Sequence, residues 1–166
     1  MKCLMGPPIS RDLLVRFACV DDLSAVYAIE QASYLRPWTL RHFQDELSIA
    51  QSYFWVGFSS ELSGYLILRD LGEALHIINV AVHPLVRGRG IGAILVKQAI
   101  SEAQKLGRTH IVLEVRNGNQ AALKMYENLG FCRVGLVRGH YGDAEDAILL
   151  ERVLNPVGSE VTLRSD

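Results

Sequence analysis

A chain of 166 residues has room for one domain of ordinary size, and folding at that length hides about 70% of the unfolded chain's surface. Hydrophobic residues at 49%, charged residues at 21% and a mean hydropathy of +0.16 exclude both a disordered chain and a membrane one. Seventeen Lys and Arg against eighteen Asp and Glu leave a formal charge of -1, so no global positive field draws the chain to nucleic acid or to anionic lipid.

Residues 1–11, with Pro7 and Pro8, lack the apolar core of a signal peptide and read as a tail. Three scattered cysteines, Cys3, Cys19 and Cys132, make no disulfide framework and no C-x-x-C pair, which fits a reducing cytoplasm. One α/β domain is expected over 12–154, followed by a second tail at 155–166. Residues 13–19 read as a first strand. Asp21 or Asp22 then caps a helix with an apolar stripe at Leu23, Val26, Ile29 and Ala32, running to about Tyr34. Pro37 breaks it, and Thr39 caps a second short helix ending near Ile49. The β-rich runs 53–58 and 65–71, joined by Ser59-Ser60-Glu61, predict an antiparallel hairpin. Residues 74–83 follow as a long central strand that Pro84 stops. A helix over 91–106 carries the stripe Val96, Ala99, Ile100, Ala103 and Leu106 and ends at Gly107. A strand at 111–115, a helix from Asn119 to Gly130, and two strands at 131–137 and 147–153 complete the chain.

The segment Arg87-Gly88-Arg89-Gly90-Ile91-Gly92-Ala93 lies between the long strand and a helix. Alternating glycines let backbone amides turn toward an anion at the positive end of the helix dipole, which makes a pyrophosphate cradle. A flexible glycine turn is the plainer reading of the same residues. A P-loop is excluded, because no Lys followed by Ser or Thr stands near these glycines. A dinucleotide fingerprint fits the spacing of Gly88, Gly90 and Ala93, with Glu114 downstream. The intervening Pro84-Leu85-Val86-Arg87 and the antiparallel hairpin before it speak against that reading.

The glycine segment also resembles the acetyl-CoA loop [QR]-x-x-G-x-[GA] of the GNAT N-acetyltransferases. Asn79-Val80-Ala81-Val82-His83-Pro84, Leu113-Glu114-Val115-Arg116 with Asn119, and Tyr126-Glu127-Asn128-Leu129-Gly130-Phe131 are similar to the subgroup that acetylates protein N-termini. The bacterial type of that subgroup is the ribosomal-protein-alanine N-acetyltransferase, and Pro37-Trp38 and Glu145-Asp146-Ala147 extend the likeness. The resemblance implies a twisted, mostly antiparallel seven-stranded sheet with about four helices, its strands four and five parallel and splayed. It implies acetyl-CoA as cosubstrate, held by Arg87, Gly88, Arg89, Gly90, Ile91, Gly92, Ala93 and Asn119, with the backbone of Ala81 and Val82 pairing with pantetheine.

Attack of an amine on a thioester needs a base for the amine proton and an acid for the departing thiolate. Glu114 points opposite to Leu113 and Val115 on its strand, as a solvent-facing glutamate also would, and the resemblance implies the base. Tyr126 faces inward on its helix, as a core tyrosine also would, and the resemblance implies the acid. Asn119 is a helix cap in its own right. The five histidines show no metal-ligand spacing, with His76 and His83 on opposite faces of one strand, so no metal is expected. Without a G-x-S-x-G elbow or a placed Cys–His pair, direct transfer in a ternary complex is expected over an acyl-enzyme.

For the acceptor, the resemblance implies a protein or peptide N-terminus, ribosomal proteins among them, between the loop with Leu35, Pro37 and Trp38 and the hairpin with His140 and Tyr141. His140 stands where bacterial relatives often carry a tyrosine. Glu73, at the entrance of strand four, joins the substrate-side residues and is the second carboxylate to consider as base. Lysine or small-amine acetylation and a non-catalytic acyl-CoA-binding module are the competing functions.

Overall fold

The elements of the computed structural model, which describes residues 13–140 and 145–154, follow the predicted order. They are β1 (Leu14–Phe17), α1 (Leu23–Ser33), α2 (Leu40–Ser48), β2 (Ser52–Phe58), β3 (Leu62–Asp70), β4 (Ala74–Val82), α3 (Ile91–Lys105), β5 (His110–Arg116), α4 (Gln120–Asn128), β6 (Cys132–Val137) and β7 (Ala147–Val153). Single 3-10 turns precede α1 and follow β4. The strands form a seven-stranded sheet in the order β1-β2-β3-β4-β5-β7-β6. Adjacent strands joined by three residues, as β2 is to β3 and β3 to β4, can only run antiparallel. The pair β4–β5, separated by the α3 crossover, is parallel.

That parallel ladder runs from Ala74↔His110 to Ile77↔Leu113, while the strands themselves continue to Val82 and Arg116. On its other edge β5 pairs with β7 along its whole length, from His110↔Val153 to Arg116↔Ala147. The chain divides into two compact units. One holds the described residues up to Leu68 with Asn79–Val96, the other Arg69–Ile78 with the described residues from Lys97 on.

In the first unit the core is built on Leu23, Val26, Ile29, Phe43, Tyr65 and Leu95, all 3% exposed or less. In the second it rests on Leu75, Ala99, Ile111, Leu113, Leu123 and Phe131, none above 2%. β3 is buried along a continuous run and so is covered on both faces. β4, the long central strand, alternates: Leu75, Ile77, Asn79 and Ala81 are buried, and His76, Ile78, Val80 and Val82 are half-buried. A strand with one half-open face can present side chains to a ligand.

Three local expectations are corrected. Asp22 does not cap α1 with its side chain: it takes a two-pronged hydrogen bond from Arg16, at 2.8 Å on each oxygen, and another from the Cys19 amide. Ala32 is exposed, and the fourth position on the buried stripe of α1 is Glu30. His83 lies past the end of β4, where its ring accepts from the Leu85 amide, so it shares no strand with His76. Thr39 does cap α2, accepting from the His42 amide, and Asn119 caps α4, accepting from the Ala122 amide at 3.1 Å. Among the described residues no helix is long and apolar enough to cross a membrane.

Candidate functional site

The glycine segment folds as a loop leading directly into α3. Gly88 and Gly90 take φ values of +75° and +84°, a region that L side chains rarely adopt. A Cβ at either position would meet nothing within 4 Å, so the loop stands open around both. The Gly90 carbonyl accepts from the Ile94 amide and opens the helix, which leaves the first amides of α3, at Ile91, Gly92 and Ala93, without intrahelical acceptors. Open space, left-handed glycines and orphan amides together fit an anion such as a pyrophosphate.

The arginines of this loop are placed differently from each other. Arg87 turns back on its own unit, its Nε donating to the Val82 carbonyl at 2.9 Å and its Nη2 to Ser33 Oγ at 2.8 Å. Arg89 stays exposed and reaches the Leu85 carbonyl at 3.5 Å. The Val80 carbonyl is taken in a similar way, by the Tyr34 hydroxyl at 2.7 Å. The neighbouring residues Ala81 and His83 turn toward β3: the Ala81 carbonyl lies 2.8 Å from where a Cβ on Gly64 would stand, and the His83 amide donates to the Ser63 carbonyl. Main-chain groups on the opposite side of this end of β4 therefore belong to Val80 and Val82 rather than Ala81.

The same unit holds a polar cluster that the periodicity argument missed. Glu30, 1% exposed, accepts from the Trp38 amide at 2.7 Å through Oε1, and from the Tyr65 hydroxyl and Asn79 Nδ2 through Oε2. The Tyr65 hydroxyl also lies 3.2 Å from Asn79 Oδ1. Burial first, and then the proximity of Tyr34 and Glu30, push the Tyr65 phenol far above its usual range, so it remains a donor. Leu35 and Pro37 are exposed in the loop after α1, and Trp38 is half-buried against Phe43 and His42.

In the second unit, Glu114 sits on β5 between the buried Leu113 and Val115, as strand alternation predicts. Its Oε2 lies 2.6 Å from His76 Nε2. The two side chains are 26% and 25% exposed, enough to reach solvent and yet be held. The register explains the meeting: His76 pairs with Val112, two residues before Glu114 and on the same face of the sheet. The signal available in the sequence was a histidine and a glutamate on the exposed phases of two adjacent parallel strands, and only the register joins them.

Tyr126 is 3% exposed on α4, its ring edge-on to Phe131 at 5.4 Å. Asn119 is exposed at the start of that helix. The turn before it, at 116–118, is clamped by Glu145, which accepts from Arg116 Nη1 at 2.7 Å and from the Gly118 amide at 3.0 Å. Glu73 is exposed ahead of β4, with its carbonyl receiving the Thr109 amide and hydroxyl. His140 is exposed beyond the end of β6, and Tyr141 lies outside the described residues. Among the described residues no three His, Cys, Asp or Glu gather as they would around a metal ion.

The Acetyltransferase (GNAT) family matches residues 23–131, which span the α1–α4 segment and so both the glycine loop and the Glu114 strand. The chain belongs to the GNAT acetyltransferase family. Two similar proteins sharpen the relationship. The ribosomal protein bS18-alanine N-acetyltransferase of Escherichia coli is 31% identical over 132 residues, covering 78% of this chain and 89% of that protein. An N-alpha-acetyltransferase of Saccharolobus solfataricus is 27% identical over 158 residues, covering 87% and 95%. The crystal structure of the Escherichia coli ribosomal-protein-S18-alanine N-acetyltransferase superposes with a TM-score of 0.81 at 27% identity, over 90% of this chain and 99% of that one. The GNAT family uses acetyl-CoA, and the open glycine loop of this chain fits its pyrophosphate.

Proposed function

We propose that this GNAT enzyme transfers acetyl from acetyl-CoA to the α-amine of a protein N-terminus, by direct attack in a ternary complex. The observation that carries the reading is the Glu114 carboxylate, half-exposed and held at 2.6 Å by His76. The ribosomal protein bS18-alanine N-acetyltransferase and the N-alpha-acetyltransferase similar to it along most of their own length support the acceptor class. Free thiols at Cys19 and Cys132, both exposed, suit work in a reducing cytoplasm.

Gly88 and Gly90 let the loop amides face the pyrophosphate, with Arg89, Ile91, Gly92 and Ala93 beside them; by the family resemblance Asn119 is a further cofactor residue. The Val80–Val82 stretch of β4 takes the pantetheine arm as an added strand. Acetyl-CoA supplies a thioester carbonyl open to attack. An α-amine has a pKa of about 7.7 to 8.0, so a modest base is sufficient near neutrality. Glu114 accepts the amine proton on a carboxylate oxygen, directly or through one water, as the new N–C bond forms. His76, bonded to Oε2, holds the carboxylate in place. The Tyr126 hydroxyl gives its proton to the sulfur as the C–S bond breaks. By the family resemblance, Leu35, Pro37, Trp38, Glu73, His140 and Tyr141 are the residues assigned to the first residues of the acceptor.

A peptide beginning with Ala or Ser, offered with acetyl-CoA, should gain one acetyl group on its α-nitrogen, located by tandem mass spectrometry. Equal or faster modification of the same peptide with a blocked N-terminus and an internal lysine would shift the assignment to lysine acetylation. Transfer only to small amines would shift it to that class, and binding without turnover to a non-catalytic acyl-CoA module.

A further inference from the structure

A carboxylate buried away from every cation is an expensive thing to keep in a core, and an apolar side chain at the same place would serve folding alone better. Glu30 is such a group: its partners among the described residues are N–H and O–H donors, none of them a cation. Tyr65 on β3 and Asn79 on β4 already meet each other at 3.2 Å, so neither depends on Glu30 for its only contact. The third donor differs, because the Trp38 amide belongs to the loop between α1 and α2, outside any ladder or helix. That loop is pinned at both ends. Its start is fixed by the Tyr34 hydroxyl on the Val80 carbonyl and its end by the Trp38 amide on Glu30, and between them Leu35 is 88% exposed.

We propose that Glu30 is a positioning residue for the acceptor: through the Trp38 amide it fixes the 35–38 loop and thereby sets which first residues of a peptide are preferred. The inference rests on the reading that this loop meets the acceptor peptide. Glu30 touches neither reactant and acts through backbone geometry.

The test compares wild type, Glu30→Leu and Glu30→Gln on Ala-first and Met-first peptides, with acetyl-CoA affinity measured by calorimetry. Glu30→Leu should raise KM for the preferred peptide about tenfold and flatten the preference between the two, with acetyl-CoA affinity unchanged. Glu30→Gln keeps an oxygen for the Trp38 amide and should restore both. A merely structural role lowers the active fraction and leaves KM and preference as they were, and that result overturns the proposal. Should Glu30→Leu fail to fold, amide exchange of Trp38 in wild type decides: protection of about tenfold or more over the neighbouring loop amides supports the anchor, and unprotected exchange overturns it. A wild type that leaves α-amines unmodified removes the acceptor reading itself, which the wild-type arm alone reveals.

Discussion

Two glutamates occupy mid-element positions in the two compact units, and their surroundings differ in the respect that decides what each can do. Glu30, on α1, is sealed from water and saturated by three hydrogen-bond donors. Glu114, on β5, is 26% exposed, with one oxygen held by a histidine ring. The first is out of reach of any reactant in solution, its oxygens taken by donors from the fold. The second has a path to solvent and a titratable neighbour, which proton transfer requires. Residue type is the same in both; access and partner separate the proposed anchor from the proposed base.

The largest expected effect tests that separation directly. Glu114→Gln should lower kcat by about 10²-fold or more with little change in thermal midpoint or acetyl-CoA affinity, as measured by peptide turnover and calorimetry. Near-normal turnover would move the base elsewhere, with Glu73 the next residue to replace. Tyr126→Phe should cause a fall of similar size if its proton reaches the sulfur. The loop is tested by Gly90→Val, which must hold φ near +84° with a branched side chain and fill the open space around it; acetyl-CoA binding should vanish from the calorimeter while the far-ultraviolet spectrum persists. Unchanged affinity would return this segment to a plain glycine turn.

Smaller effects sharpen the contrast. His76→Gln keeps a polar side chain beside Glu114 but removes the ring, and should lower kcat about tenfold and alter the pH–rate profile, which a mere loss of packing leaves unmoved. Tyr65→Phe removes a donor from the sealed glutamate and should cost about 1–3 kcal/mol in denaturant unfolding, because a buried acceptor loses a partner. Asp22 supplies a third case, a carboxylate with a cation. The Arg16 hydrogen bonds, against burial and helped by the Cys19 amide, hold its carboxyl below the usual range. A folded value below the unfolded one means the contribution is complete above about pH 4 and is lost as pH falls through the lower folded value. Asp22→Asn should therefore flatten the acid limb of the stability curve below about pH 4. An unchanged slope there would assign the acid sensitivity to another carboxylate, such as Asp70, which Arg108 and the Gly72 amide hold low in spite of burial.

Element order, the two helix caps at Thr39 and Asn119, the glycine loop and the exposed phase of Glu114 were all legible in the sequence, because each is set by local chemistry. Caps, breakers and alternation act over a few residues and leave their mark on neighbours in the chain. The resemblance carried by the glycine loop and the segments around it reached the family in the same way. What the chain order could not contain was partnership across distance. His76 meets Glu114 only because the parallel register sets His76 opposite Val112, and no spacing rule along the chain encodes that register. Glu30 looked like a polar interruption of an apolar stripe, and Ala32 like its continuation. Donors from the loop, from β3 and from β4 converge on the glutamate and reverse that order, since a buried carboxylate is tolerated only where tertiary neighbours satisfy it. Sequence determined which groups could do chemistry here; the tertiary structure decided which carboxylate is sealed into an anchor and which is left within reach of water.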